Sequence, residues 1–180
     1  MSKNLNLPNI LALFRIALAP LMLWFFVDRG NTIFSSWHPS WFDYFAGLIF
    51  VIASVTDFFD GYIARTWDQM TKFGGILDPL ADKMLVLAGF LGLMVLDRAS
   101  AWAVFLILSR EFFITGLRVV AVAEGKNVAS TMVGKVKTVA QMFAIGFLIM
   151  NWPYATTLLW FAVALTLYSG FEYTRDYFKA

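Results

Sequence analysis

The chain has 180 residues, of which 60% are hydrophobic and 14% are charged, and its mean hydropathy is +0.70. Soluble domains are about 45–50% apolar and about 25% charged, so this composition excludes an ordinary soluble protein and indicates lipid as the solvent. The net charge of +2 says little about a nucleic-acid partner, but the absence of any basic run longer than two residues excludes a nucleic-acid-binding surface. With no cysteine and one histidine, any metal must be held by oxygen ligands, which favour magnesium, manganese or calcium.

Six apolar segments follow one another along the chain, each close to the roughly 20 residues that a helix needs to cross a bilayer. From the N-terminus they are about 9–27, 41–63, 77–96, 101–123, 135–150 and 154–173. Residues 138–171 carry no charge, and Asn151, Trp152 and Pro153 divide this stretch between the last two segments. We therefore predict an all-α integral membrane protein with six transmembrane helices, forming a single domain over residues 1–180.

The lysines and arginines of the loops predict the orientation of these helices, because basic residues concentrate on the cytoplasmic side. Arg29 and Arg98 fall on one side. The other side holds Lys3, Arg65, Lys72, Lys126, Lys135, Lys137, Arg175 and Lys179. This bias predicts a multi-pass membrane protein with both termini in the cytoplasm. For several of the basic residues, topology and lipid headgroup contact are a sufficient explanation.

Four aspartates, Asp57, Asp60, Asp78 and Asp82, lie in or beside the second and third segments on the predicted cytoplasmic side. A charged residue at the centre of a membrane helix costs about 2.5–3.5 kcal/mol on insertion scales, so such residues are usually functional. The first two are three residues apart and the last two are four apart, so each pair shares one helix face. Four carboxylates on two neighbouring helices are enough to hold two divalent ions, an arrangement that recurs in phosphoryl-group displacement.

The connection between the two pairs is expected to turn at Gly74 and Gly75, with Pro79 in the first turn of the third helix. Two alternatives to a metal site stay open on the residues alone. Asp78 is also a candidate N-cap ahead of Pro79. Asp57 and Asp60 are also candidates for a proton or cation pathway in a transporter.

The pattern Asp57-x2-Asp60-Gly61-x2-Ala64-Arg65-x8-Gly74-x3-Asp78-x3-Asp82 resembles the signature of the CDP-alcohol phosphotransferase family. Residues 110–118, 134–141 and the opening Leu7 to Arg15 resemble segments of bacterial phosphatidylglycerophosphate synthases within that family. One departure is Ala12, which stands where a threonine is expected. The resemblance covers essentially the whole chain and implies an integral membrane enzyme with six transmembrane helices.

The resemblance also implies roles for individual residues. Asp57, Asp60 and Asp78 would bind the metals, while Asp82 would contact the second metal and act as the general base. The residues implied in binding CDP-diacylglycerol are Asn9, Gly61, Arg65, Thr71 and Gly74. The residues implied in binding the phosphate of the acceptor are Arg110, Arg118, Lys135 and Lys137.

Two of these assignments have simpler alternatives. Arg65 is also explained as a positive-inside anchor. In the acceptor group, Glu111 is a candidate to neutralise Arg110 while the lysines face lipid headgroups. Thr138 and Gln141 are weaker candidates for the site, since polar residues often join membrane helices together.

The resemblance implies a complete reaction. The phosphatidyl group would pass from CDP-diacylglycerol to glycerol 3-phosphate by direct displacement, assisted by two magnesium or manganese ions, with release of CMP and formation of phosphatidylglycerol phosphate. The alternatives are the same chemistry on inositol phosphate, serine or phosphatidylglycerol, or a cation or solute transporter. The family suggests a homodimer, and no nucleic acid is expected as a partner.

Overall fold

The computed structural model describes residues 6–29, 36, 38–66, 74–125 and 132–179, except the side chains of residues 58, 60–66, 75 and 76. The described residues form six helices and no strand, which confirms the all-α prediction. The helices are α1 (Leu7–Val27), α2 (Pro39–Thr66), α3 (Gly74–Val95), α4 (Ala101–Ala123), α5 (Met132–Ile149) and α6 (Ala155–Lys179).

Among the described residues, three helical stretches are long and apolar enough to cross a membrane: Leu7–Val27, Pro39–Asp57 and Met132–Ile149. The predicted number of six is therefore not confirmed. The reason lies in the sequence, since α3 and α4 each carry three charged residues and α6 ends in a polar stretch. Large apolar side chains such as Trp102 and Phe171 cover the outside of the helices, as expected of a membrane protein.

The chain divides into two compact units, Met1–Leu96 and Asp97–Ala180. The organisation as a single domain stays a prediction. In the first unit, α1 packs against both α2 and α3. A Cβ on Gly92 of α3 would overlap the ring of the buried Phe26 of α1, so only glycine allows this close approach.

The sequence departure at Ala12 has a packing role in this unit. Its side chain is fully buried and forms a small core with Leu77 and Ala81 of α3, against which Ile16 also packs. Because α3 fills the space beside this position, a small apolar residue is well accommodated between the two helices.

Local polar contacts fix both ends of α1. At its N-terminus the side chain of Asn6 accepts a hydrogen bond of 3.2 Å from the backbone N–H of Asn9, and Pro8 occupies the first turn. At the other end, Arg29 forms an ion pair with Asp43 of α2. The cap therefore marks where α1 begins, and the ion pair joins its C-terminal end to α2.

The start of α3 differs from the prediction. The helix begins at Gly74, so Asp78 is its fifth residue and Pro79 lies one residue further inside. The prediction that Pro79 occupies the first turn is wrong, and Asp78 is not an N-cap. A proline so near the N-terminus is tolerated because it removes only one intrahelical hydrogen bond.

In the second unit, α6 packs against α4 and α5. The predicted break between α5 and α6 is confirmed, and the connecting turn contains Asn151 and Tyr154 with positive φ of 51° and 65°. The guanidinium of Arg98 donates a 2.6 Å hydrogen bond to the carbonyl of Ile149, which satisfies an acceptor at the end of α5.

The ends of α4 and α6 are also joined by a side-chain contact. The hydroxyl of Tyr177 donates a 2.9 Å hydrogen bond to the carboxylate of Glu124, at the residue that follows α4. This hydrogen bond raises the pKa of Tyr177 because it stabilises the protonated phenol. The chain ends of these helices therefore lie side by side.

Candidate active site

The first unit brings two of the predicted metal ligands to one cation. Arg15 of α1 has a fully buried side chain, and its Nη1 donates to Asp57 Oδ1 of α2. Its Nη2 lies 3.6 Å from Oδ1 of Asp78 on α3. The side chains of Asp57 and Asp78 are 36% and 41% exposed. Residues that are distant in sequence thus converge at one point, where the carboxylates remain open to a ligand.

One oxygen at this point is left for a further cation. Oδ1 of Asp78 is buried and accepts no hydrogen bond within the described residues, since its 3.6 Å contact with Arg15 is too long for one. Two carboxylates with such an unfilled acceptor are the donor set that a hard divalent ion prefers. The residues therefore fit the predicted kind of metal.

The described side chains do not by themselves complete a metal site. Among them, no three acidic or histidine side chains lie close enough together to hold an ion. The side chain of Asp60, the remaining predicted ligand on α2, is outside the described part of the chain. Asp82 follows Asp78 by one turn on the same face of α3 and is half-buried. The metal assignment stays a prediction.

The residues predicted to bind the liponucleotide are only partly described. Asn9 is buried in α1, six residues before Arg15, and Gly74 is buried at the start of α3. The backbone of α2 includes positions 61 and 65, but the side chain of Arg65 lies outside the described residues, as does the whole of Thr71. Their role in binding the nucleotide stays a prediction.

In the second unit, two residues of the predicted acceptor site, Arg110 and Lys137, contact Glu111. Its Oε1 accepts from Nζ of Lys137 on α5 and lies 3.5 Å from Nη1 of Arg110. Glu111 thus offsets part of the positive charge of Arg110, as the simpler alternative expected. Lys137, however, is buried, with 8% of its side chain exposed, so it does not face lipid headgroups; Lys135 is exposed.

Both predicted arginines of α4 contact α6. Nη2 of Arg110 donates a 2.8 Å hydrogen bond to Oγ of Ser169. The guanidinium carbon of Arg118 lies 5.7 Å from the ring centroid of Tyr173, one turn further along α6, in a cation–π contact. The two arginines therefore share one side of α4, and two cations, Arg110 and Lys137, share the carboxylate of Glu111. A positive surplus of this kind suits a phosphate.

The two weaker polar candidates behave differently. Nε2 of Gln141 donates a 2.8 Å hydrogen bond to Oγ1 of Thr166, so it joins α5 to α6 within the buried core. The hydroxyl of Thr138 donates to the carbonyl of Gly134 in its own helix. Gln141 therefore supports the helix packing beside the cationic residues.

Two residues of these sites had no role in the sequence analysis. Arg15 was noted only as part of the resemblance, although the only charged residue of a 21-residue apolar segment signals a buried partner. Its partner Asp57 is 42 residues away in the chain, so helical spacing alone does not connect the two. Ser169 gave no signal, because a serine in a membrane helix is common.

Comparison with known proteins identifies the family of the chain. The sequence model of the CDP-alcohol phosphatidyltransferase family matches residues 5–168, and the chain belongs to that family. This match confirms the family resemblance that the aspartate signature indicated.

The chain is similar over nearly its whole length to curated bacterial enzymes. It is 41% identical to the CDP-diacylglycerol–glycerol-3-phosphate 3-phosphatidyltransferase of Bacillus subtilis, over 97% of this chain and 96% of that protein. It is 40% identical to the Escherichia coli K12 protein of the same name, over 93% of this chain and 92% of that protein. The Cereibacter sphaeroides protein of that name is 34% identical, over 96% of this chain and 95% of that protein.

Proposed function

We propose that the protein transfers the phosphatidyl group of CDP-diacylglycerol to glycerol 3-phosphate, releasing CMP and forming phosphatidylglycerol phosphate. The observation that carries the chemistry is the convergence of Asp57 and Asp78, both part of the family signature, on the buried Arg15. The choice of acceptor is supported by the activity for which the relatives are named and by the positive surplus around Glu111.

The first unit supplies the groups for the displacement. Asp57, Asp60, Asp78 and Asp82 would hold two magnesium or manganese ions, which when bound polarise the diphosphate and neutralise its developing charge. Arg15 keeps two of these carboxylates together from α1. Asp82 accepts the proton of the attacking hydroxyl, whose oxygen forms a bond to the β-phosphorus as the bond to CMP breaks.

Binding of the liponucleotide falls to residues of the same unit. Arg65 suits the diphosphate because its guanidinium stays charged and donates to two oxygens at once. The full set proposed for CDP-diacylglycerol is Asn9, Gly61, Arg65, Thr71 and Gly74. The glycines let the nucleotide approach the backbone closely.

The second unit supplies the cations for the acceptor. The phosphate of glycerol 3-phosphate is doubly charged and offers several acceptor oxygens, which Arg110, Arg118, Lys135 and Lys137 would bind. Glu111 already holds Lys137 near Arg110, so part of the binding group is in place before the acceptor arrives.

We also propose that all six helices cross a bacterial inner membrane, with both termini and the Asp57–Asp82 region cytoplasmic. The loop charges support this orientation. The charged residues of α4 are unfavourable in a membrane span. The side chains of Arg110 and Glu111, however, are only 11% and 16% exposed and contact each other, which lowers the cost of placing them there. A homodimer stays a prediction.

The purified protein, supplied with CDP-diacylglycerol and magnesium, should release CMP when given glycerol 3-phosphate. Serine and phosphatidylglycerol, each offered separately, should give no more than background release, because the cationic group favours a small acceptor with a phosphate monoester. Inositol phosphate meets that requirement, and it should still give less release than glycerol 3-phosphate, the acceptor named for the relatives. Release that required one of these instead would contradict the proposed acceptor. Absence of release with every acceptor, combined with cation flux through proteoliposomes, would favour the transporter alternative.

A further inference from the structure

We propose that Ser169 and Gly170 of α6 are positioning residues for Arg110 and thereby set the affinity for the phosphorylated acceptor. The proposal rests on the proposed function, since it assumes that Arg110 binds the acceptor phosphate. Neither residue carries charge. Their effect is exerted through the guanidinium that they hold.

The hydroxyl of Ser169 has a fixed orientation. It is buried, and it donates its proton to the carbonyl of Thr166 at 3.1 Å. Its lone pairs therefore point away from that carbonyl, and one accepts the 2.8 Å hydrogen bond from Nη2 of Arg110. A hydroxyl that is held in this way restricts the guanidinium to one place.

Gly170 provides the surface on which the aliphatic part of Arg110 lies. A Cβ at this position would be 3.0 Å from Cγ and 3.2 Å from Nε of Arg110, closer than an ordinary van der Waals contact. The arginine therefore packs on bare backbone, and even a methyl group would shift it by a few tenths of an ångström. By contrast, a Cβ at Gly146 of α5 would meet no atom within 4 Å.

Ordering of Arg110 matters because a free arginine side chain has many rotamers that binding must remove. Here three contacts restrict it before the acceptor binds: Glu111 beside it, the Ser169 hydroxyl and the Gly170 backbone. Loss of this order should weaken acceptor binding while leaving the reaction of bound substrates unchanged. The effect is therefore expected in the KM for the acceptor.

The test measures KM and kcat of the full chain in proteoliposomes for both substrates. Ser169→Ala should raise the KM for glycerol 3-phosphate about tenfold, as for loss of a hydrogen bond from a charged donor, with kcat and the KM for CDP-diacylglycerol little changed. Gly170→Ala should raise the same KM by a smaller factor, and Ser169→Thr should recover part of the affinity. The controls Gly146→Ala and Thr157→Ala, the latter at an exposed position of α6, should match the wild type.

A double-mutant cycle identifies the route of the effect. In an Arg110→Ala background, Ser169→Ala should add nothing further, because the residue that it positions is gone. An unchanged acceptor KM in Ser169→Ala, or a parallel loss in both KM values and kcat, would overturn the positioning role while Arg110→Ala still weakens acceptor binding. An unchanged acceptor KM in Arg110→Ala itself would overturn the proposed acceptor site as well.

Discussion

Asp82→Asn is expected to lower kcat about a thousandfold while the protein still inserts and folds. Asparagine has nearly the same shape as aspartate, so the packing of α3 should persist, but its amide cannot take up the proton of the attacking hydroxyl. The loss should therefore appear in CMP release at saturating concentrations of both substrates. Circular dichroism and thermal unfolding of the purified variant would establish that its fold is retained.

A matched control for this substitution lies at the end of the same helix. Asp97 is exposed and has a positive φ of 60°, a conformation that asparagine adopts readily. Asp97→Asn makes the same chemical change outside the carboxylate group and should leave kcat unchanged. Full turnover by Asp82→Asn would remove that residue as the general base.

Arg15→Met is expected to produce the second large effect, on both stability and activity. The substitution keeps much of the side-chain volume but leaves Asp57 and Asp78 close together without their shared cation. Removing one partner of a fully buried ion pair costs about 3–5 kcal/mol, and we expect about half of that because both carboxylates are more than a third exposed. The melting temperature without divalent metal should then fall by about 4–8 °C, and activity by at least about tenfold.

Added magnesium should restore part of the stability lost in Arg15→Met, because a divalent ion also offsets the repulsion between the carboxylates. The control is Arg29→Met, which removes the ion pair with Asp43. That variant should be destabilised without any additional gain from magnesium. Unchanged stability and activity in Arg15→Met would contradict the role assigned to this arginine.

The apolar pattern of the sequence located the helices but not all of their ends. The predicted fourth segment coincides with α4, and the break at Asn151 to Pro153 separates α5 from α6 as expected. In contrast, α2 continues to Thr66 and α6 to Lys179, beyond the apolar segments. Hydropathy marks the part of a helix suited to lipid, whereas backbone hydrogen bonding continues through polar residues that do not interrupt it.

The candidate sites show the same division between local and long-range information. Helical spacing placed Asp78 and Asp82 on one face of α3. It gave no information on Arg15, which is 42 residues from its partner Asp57, or on Ser169, which is 59 residues from Arg110. Such contacts depend on how helices pack, and therefore on close approaches such as that of Gly92 to Phe26.

The central claim is that the region from Asp57 to Asp82 is a metal-carboxylate active site. Binding of Mn²⁺ to the purified protein, followed by electron paramagnetic resonance, tests it most directly. We expect two ions per chain in the wild type and in Asp97→Asn, and a loss of at least one in Asp57→Asn and in Asp78→Asn. Equal binding by the wild type and an Asp57→Asn, Asp78→Asn double variant would contradict the claim.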